Sequence, residues 1–138
     1  MEDKKCVMVI DQSLPLGLIA NTAAVMGITL GKMCPWAVGG DVADKSGSRH
    51  RGIITFPVPV LKSTAQGIRA LRERLGQPEF AGLTAVDFSD LAQGCKTYEE
   101  FTGKMAAAPE ESLGYLGLAL CGDKKTVDRL TGSMPLLR

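Results

Sequence analysis

Residues 4–11, KKCVMVID, and residues 12–31, QSLPLGLIANTAAVMGITLG, decide how this chain folds. The first stretch is an apolar run bounded by charge, the pattern of a strand covered on both faces. In the second, Ser13 offers an N-cap and Pro15 stands in the first turn, where a missing N–H costs nothing. A helix to about Leu30 follows, with Gly31 at its C-cap position. A doubly covered strand feeding a helix is the opening unit of a layered α/β domain.

The helical stretch from Leu14 to Leu30 is almost wholly apolar, yet shorter than the ~20 residues that span a bilayer. Pro15, Gly17, Asn21, Thr22, Gly27 and Thr29 also interrupt it. It reads as a buried amphipathic or fully covered helix, and no membrane association is expected. The start, MEDKKCVMVID, has too short an apolar run for a signal peptide and no small-residue cleavage site, so a cytoplasmic location is expected.

Alternation continues along the chain. Residues 35–52 are polar and glycine-rich and read as an exposed, mobile loop. Residues 53–61, IITFPVPVL, suit an edge strand, or one running into an extended segment, because prolines alternate there. Ser63 or Thr64 can cap a helix to about Leu75, with Ile68, Leu71 and Leu75 on one face and Arg69, Arg72 and Arg74 mainly elsewhere. Residues 83–88 form a short strand, 97–107 a helix and 113–121 another buried strand. Asp123 then caps a last helix that stops at Gly132.

Composition narrows the function classes. The chain has 138 residues, the size of one domain, with a formal net charge of +1. No global field favours nucleic acid or a membrane. The four cysteines, Cys6, Cys34, Cys95 and Cys121, form no CxxC pair and lie far from the single His50, so structural zinc is not expected. Cys6 and Cys121 read as small core residues, reduced in a cytosol. No cofactor is implied.

Asp11, Gly17 and the alanines Ala20, Ala23 and Ala24 resemble the start of the type II peptidyl-tRNA hydrolases. Val86-Asp87 resembles that family's later strand end, and VDRLTGSMPLLR resembles its close, with Asp128, Thr131, Gly132 and Leu136 in place. The stretches LPLGLIANTAAVMG, FPVPVLK, AVDFSDLAQ, YLGLALCG and VDRLTGSMPLLR are similar to a bacterial family known only as a domain of unknown function, number two thousand. That resemblance covers essentially the whole chain and implies the same hydrolase-like fold. The expectation is a single domain over residues 1–138, with a mixed four-stranded sheet between two helical layers.

The hydrolase motif G-K-G-K-x-A-A-Q-x-x-H-A places its lysines on Leu16 and Leu18, its glutamine on Thr22 and its histidine on Val25. Cations for RNA phosphates and a proton-transfer group are therefore missing from this helix. The D-A-G-x-T loop meets Asp87-Phe88-Ser89-Asp90-Leu91 instead. The resemblance implies the fold and argues against the same mechanism.

Seven residues carry what chemistry remains. Asp87, at a strand end, is the candidate catalytic carboxylate, and His50, titrating near neutrality, the candidate proton-transfer group. Each has a bland reading too: Asp87 as a turn cap, His50 as an exposed loop residue. Asn21, Thr22, Asp11, Arg49 and Arg51 are candidate ligand-binding residues, since crevices at strand ends hold ligands in α/β sheets. Against that, Asn21 can serve a backbone group, Thr22 can bond back along its helix, and Asp11 can cap a turn or pair with Lys4 or Lys5. Convergence of Asp11 and Asp87 would raise one of their pKa values.

The leading functional expectation is a protein binding a small polar or anionic ligand. The alternatives are a hydrolase acting on peptidyl-tRNA or a related ester, which would engage RNA, and an interaction module or homodimer pairing through the 53–61 edge.

Overall fold

A computed structural model describes residues 3–138. Strand β1 (Lys4–Asp11) is followed by helix α1 (Leu16–Met33) and a short hairpin, β2 (Val42–Ala43) and β3 (Arg49–His50). Then come β4 (Val60–Ser63), α2 (Ala65–Arg74), β5 (Thr84–Ser89), α3 (Asp90–Gln93), α4 (Tyr98–Ala107), β6 (Tyr115–Asp123) and α5 (Lys124–Thr131). Four strands form a mixed sheet in the order β4-β1-β6-β5, with β1 parallel to β4 and β6 antiparallel to both neighbours. The expected α/β architecture with a mixed four-stranded sheet is present.

The two apolar runs form the central strands because only there are both faces covered. Cys6, Met8 and Ile10 face α1, together with Ala119 and Cys121 of β6. Val7 and Val9 face the opposite way, with Leu118 and Leu120, against Ile68 and Leu71 of α2 and Val127 and Leu130 of α5. Period-two alternation thus splits one sheet between two cores.

Of the two expected forms of helix α1, amphipathic or fully covered, the fully covered one is not found. Its buried residues are Thr22, Met26 and Leu30, a single i, i+4 row, while Leu16 is 83% and Ile28 77% exposed. Only one face meets the sheet. By length and composition, with a mean hydropathy of 1.3, it is also long and apolar enough to cross a membrane. The helix runs past Gly31 to Met33 and stops where Pro35 follows. At its start Ser13 is no cap: its N–H and hydroxyl both donate to Asp11 Oδ1, at 2.9 and 2.8 Å.

Close seating of α1 depends on Gly117 of β6. A Cβ built there would lie 2.7 Å from Thr22 Cγ2 and 2.8 Å from Met26 Cε. Glycine lets the helix approach the strand more closely than any side chain permits.

Other boundaries differ for local reasons. Residues 35–52 hold the β2–β3 hairpin, whose turn is built by Asp44 accepting from the N–H groups of Ser46 and Ser48, with Gly47 at φ +88°. Within 53–61 only Val60 and Leu61 join the sheet; the proline-interrupted part is an extended strap. The outer side of β4 is occupied by this chain's own end, since Leu137 N–H donates to Val60 O and Lys62 N–H to Pro135 O. Of the two expected caps, Thr64 serves α2, accepting from Gly67 N–H at 3.0 Å, but Asp123 makes no side-chain cap and pairs with Lys4 at 2.7 Å.

Cys6 and Cys121 sit directly opposite in the β1–β6 register, with Cα atoms 4.2 Å apart, and form a disulfide. This corrects the expectation of two separate reduced core thiols: antiparallel pairing brings their side chains together.

Two stability predictions follow from these contacts. Gly117→Ala should cost about 1–3 kcal/mol through overpacking against Thr22 and Met26, read by urea denaturation; no loss would contradict the close approach. Under oxidising conditions Cys6→Ser should cost about 2–4 kcal/mol, a difference that narrows in dithiothreitol; a difference unchanged by reduction would argue against the bond.

Candidate functional site

Asp87 and Phe88 point to opposite faces of β5, and Phe88 joins the α1-side core. Asp87 projects to the α2 side, where Arg72 Nε donates to its Oδ2 at 3.1 Å. This ion pair is the opening contact of a larger cluster. Tyr115 stands at the head of β6, and the β5–β6 register shifts there: Phe88 faces Gly117, whereas Ser89 faces Tyr115. Leu116 is the extra residue. Such a bulge re-aims the neighbouring side chain, so Tyr115 joins the α2-side core while Leu116 packs towards α1.

Two arginines of α2 stack against the Tyr115 ring, Arg69 at 5.0 Å and Arg72 at 5.2 Å from its centroid. The Tyr115 hydroxyl donates to Glu110 Oε2 at 2.6 Å, and Arg69 Nη1 donates to the same oxygen at 2.8 Å. Arg69 also donates to the backbone oxygens of Glu110 and Leu113. Burial first, and then the bond to Glu110, push the Tyr115 phenol up to about 12. Glu110 falls below its ordinary value, through the Tyr115 hydrogen bond chiefly and the arginines secondarily. Every charge in the cluster has a partner, and the network ties α2, β5, β6 and the 110–112 turn together.

The remaining sequence candidates take other places. Asp11 is buried and caps its turn through Ser13, and does not pair with Lys4 or Lys5, which meet Asp123 and Asp128. It does not converge with Asp87. Asp11 lies opposite Ser63, whereas Asp87 is level with Val9 through Leu118, two strand spacings or roughly 10 Å away across the sheet. Thr22 is fully buried and donates back to Leu18 O at 2.7 Å, the bland reading of that residue. Asn21 is exposed, so no buried amide demands a partner.

Arg49, His50 and Arg51 belong to the hairpin region. His50 Nε2 lies 2.7 Å from Asp44 Oδ2, and Arg51 pairs with Asp41 at 3.0 Å. The strap leading from this hairpin is anchored on the α1 side of the sheet, where Thr55 N–H donates to Ala37 O. Asp87 is held by Arg72 on the opposite side. His50 and Asp87 are therefore not brought together.

One space open to a ligand lies along α1. On its β5 flank a crevice of about 430 Å³ is lined by Val25 and Thr29 of α1, Val86 and Phe88 of β5, and Lys96 and Phe101 of the α3–α4 region. Asn21 stands one helical turn before Val25 on the same i, i+4 row. Thr97, at the rim, caps α4 by accepting from Glu100 N–H at 3.1 Å. Among the described residues β5 pairs with β6 only, so its other edge presents unpaired peptide groups beside the crevice.

A family model described as a protein of unknown function, DUF2000, matches residues 4–138. The chain belongs to the DUF2000 family. A solved structure of a protein of unknown function from Agrobacterium tumefaciens strain C58 is similar across 99% of this chain and 98% of that one, with a TM-score of 0.86 and 17% identity. At that identity the likeness speaks for the fold alone. No curated protein matches.

Reasoning from sequence missed Arg69, Arg72, Glu110 and Tyr115. The i, i+3 spacing of the two arginines was a usable signal for one shared helix face; the bulge that turns Tyr115 towards them carried none. The cluster predicts an alkaline transition. The raised phenol stabilises the fold fully below its ordinary 10.0, and that contribution is lost as pH rises towards about 12. Absorbance titration of tyrosine ionisation should show a component near 12 that moves down in Glu110→Gln; an unmoved component would contradict the Tyr115–Glu110 bond.

Proposed function

We propose that this DUF2000 protein binds a small polar or anionic ligand in the crevice between α1 and the free edge of β5. The carrying observation is the crevice's composition. Its apolar floor of Val25, Val86 and Phe88 adjoins one cation, Lys96, the hydroxyls of Thr29 and Thr97, and the open peptide edge. Its volume falls in the range typical of small-molecule sites, about 300–1,000 Å³. A few converging polar groups on an apolar wall can orient a ligand that bears one negative charge. Of the residues first singled out, Asp87 borders the crevice while its carboxylate turns to Arg72 on the other face, and Asn21 lies on the helix row that bounds it.

We further read the fold as that of the type II peptidyl-tRNA hydrolases. The mixed four-stranded sheet and the Asp11, Gly17 and alanine framework support that reading. A hydrolytic activity draws its support from Asp87 alone. RNA as a partner lacks the cations that the family's lysines supply, since Leu16 and Leu18 stand in their places.

The ligand reading is tested by titrating the isotope-labelled protein with acetate, glutamate and inorganic phosphate while recording amide spectra. At least one anion should shift amides in 25–29, 86–88 and 95–101, and Lys96→Ala should weaken its binding roughly tenfold, the cost of one charge-assisted hydrogen bond. Shifts confined to other regions, or binding indifferent to Lys96→Ala, would refute it.

A further inference from the structure

The other flank of α1 holds a second space, with different chemistry. Between α1, β1 and the strap lies a cavity of about 190 Å³. Strand β1 contributes Cys6 and Met8, α1 contributes Gly27 and Gly31, and the strap borders it with Ile54 and Val58. Every lining side chain is an alkyl group, a thioether or a sulfur of cysteine. An ordered water needs two to four polar partners, and no side chain here offers a hydroxyl, amide or charge.

The two glycines are the informative residues. They stand four apart, so both face the cavity from adjacent turns. In a helix interior each is disfavoured against alanine by roughly fivefold in the helix-forming equilibrium. Neither backbone requires glycine, because the positive-φ glycine of this chain is Gly47. Packing does not require it either. A Cβ at Gly31 would meet nothing within 4 Å, and one at Gly27 would make an ordinary 3.7 Å contact with Met8 Cε. Gly117, by contrast, has no room for a side chain. Gly27 and Gly31 give up helix stability and leave space empty.

We infer that this cavity is a binding site for an uncharged apolar group about the size of an aromatic ring or a short branched alkyl chain. A dry, apolar protein cavity of about 150 Å³ accommodates benzene, so this one holds a group of about six to ten non-hydrogen atoms. Gly27 and Gly31 are the specificity-determining positions, since side chains there would occupy the ligand's volume. The sulfurs of Met8 and Cys6 supply polarisable contacts that suit an aromatic ring. The site is separate from the crevice on the β5 flank and does not depend on that reading.

Toluene is the probe. It should raise the melting temperature of the wild-type protein by roughly 2–5 °C at saturation. Intermolecular nuclear Overhauser effects should connect its protons to the methyl groups of Met8, Leu30 and Val58. Gly31→Leu, which fills the cavity, should melt no lower than wild type without toluene and lose the toluene-induced shift. Should Gly31→Leu fail to fold, Gly31→Ala places one methyl in open space and should at least halve the shift. Lys96→Ala, at the other flank, should leave the toluene response unchanged. Absence of both the shift and the contacts in wild type overturns the inference. So do contacts confined to Val25, Val86 and Phe101, or a full response retained in the Gly31 variants.

Discussion

The seating of α1 on β6 at Gly117 is the contact on which the rest of this structure depends. Without a side chain at that position, Thr22 and Met26 descend onto the strand and the helix lies close to the sheet. Two of the molecule's open spaces flank the helix seated there, the cavity on the β1 flank and the crevice on the β5 flank. Raising α1 by the width of a methyl group would reshape both at once, because protein interiors transmit strain rather than absorb it.

The opposite face of the sheet works differently. There the bulge at Leu116 turns Tyr115 towards α2, and the two arginines, Glu110 and Asp87 form a network with every charge matched. A cluster with matched charges holds elements together but has no unsatisfied group with which to attract a ligand. Asp87, the most plausible catalytic carboxylate on sequence grounds, is thereby committed to Arg72. Through that pair the strand-end aspartate joins β5 to α2.

How legible was this in the sequence? The central strands and the mixed α/β architecture were, because KKCVMVID and LGYLGLALC are apolar at both parities and only central strands can cover both faces. The Thr64 cap was legible because it is a local bond. The exposure of α1 was not. Its composition equals that of a covered helix, and whether a second layer lies over it depends on tertiary placement. Nor was the cluster around Tyr115, since a bulge reverses the parity on which strand facing is read. Asn21 was singled out because a polar residue in an apolar stretch implies a buried need; on a half-exposed helix that need does not arise. The Cys6–Cys121 pair, 115 residues apart in sequence, became visible only with the β1–β6 register.

Glycine marks the deepest ambiguity. Gly27, Gly31 and Gly117 are indistinguishable as letters, and each weakens the element that contains it. In space they are opposites. At Gly117 the missing side chain is replaced by Thr22 and Met26, so the entropic cost returns as packing between helix and strand. At Gly31 nothing replaces it. A fold that tolerates a weakened helix without filling the space has not been optimised for stability at that point, and departures of this kind concentrate where function competes with packing. Weighing each glycine by what would meet its absent Cβ separates the ones that build the fold from the ones that keep room in it.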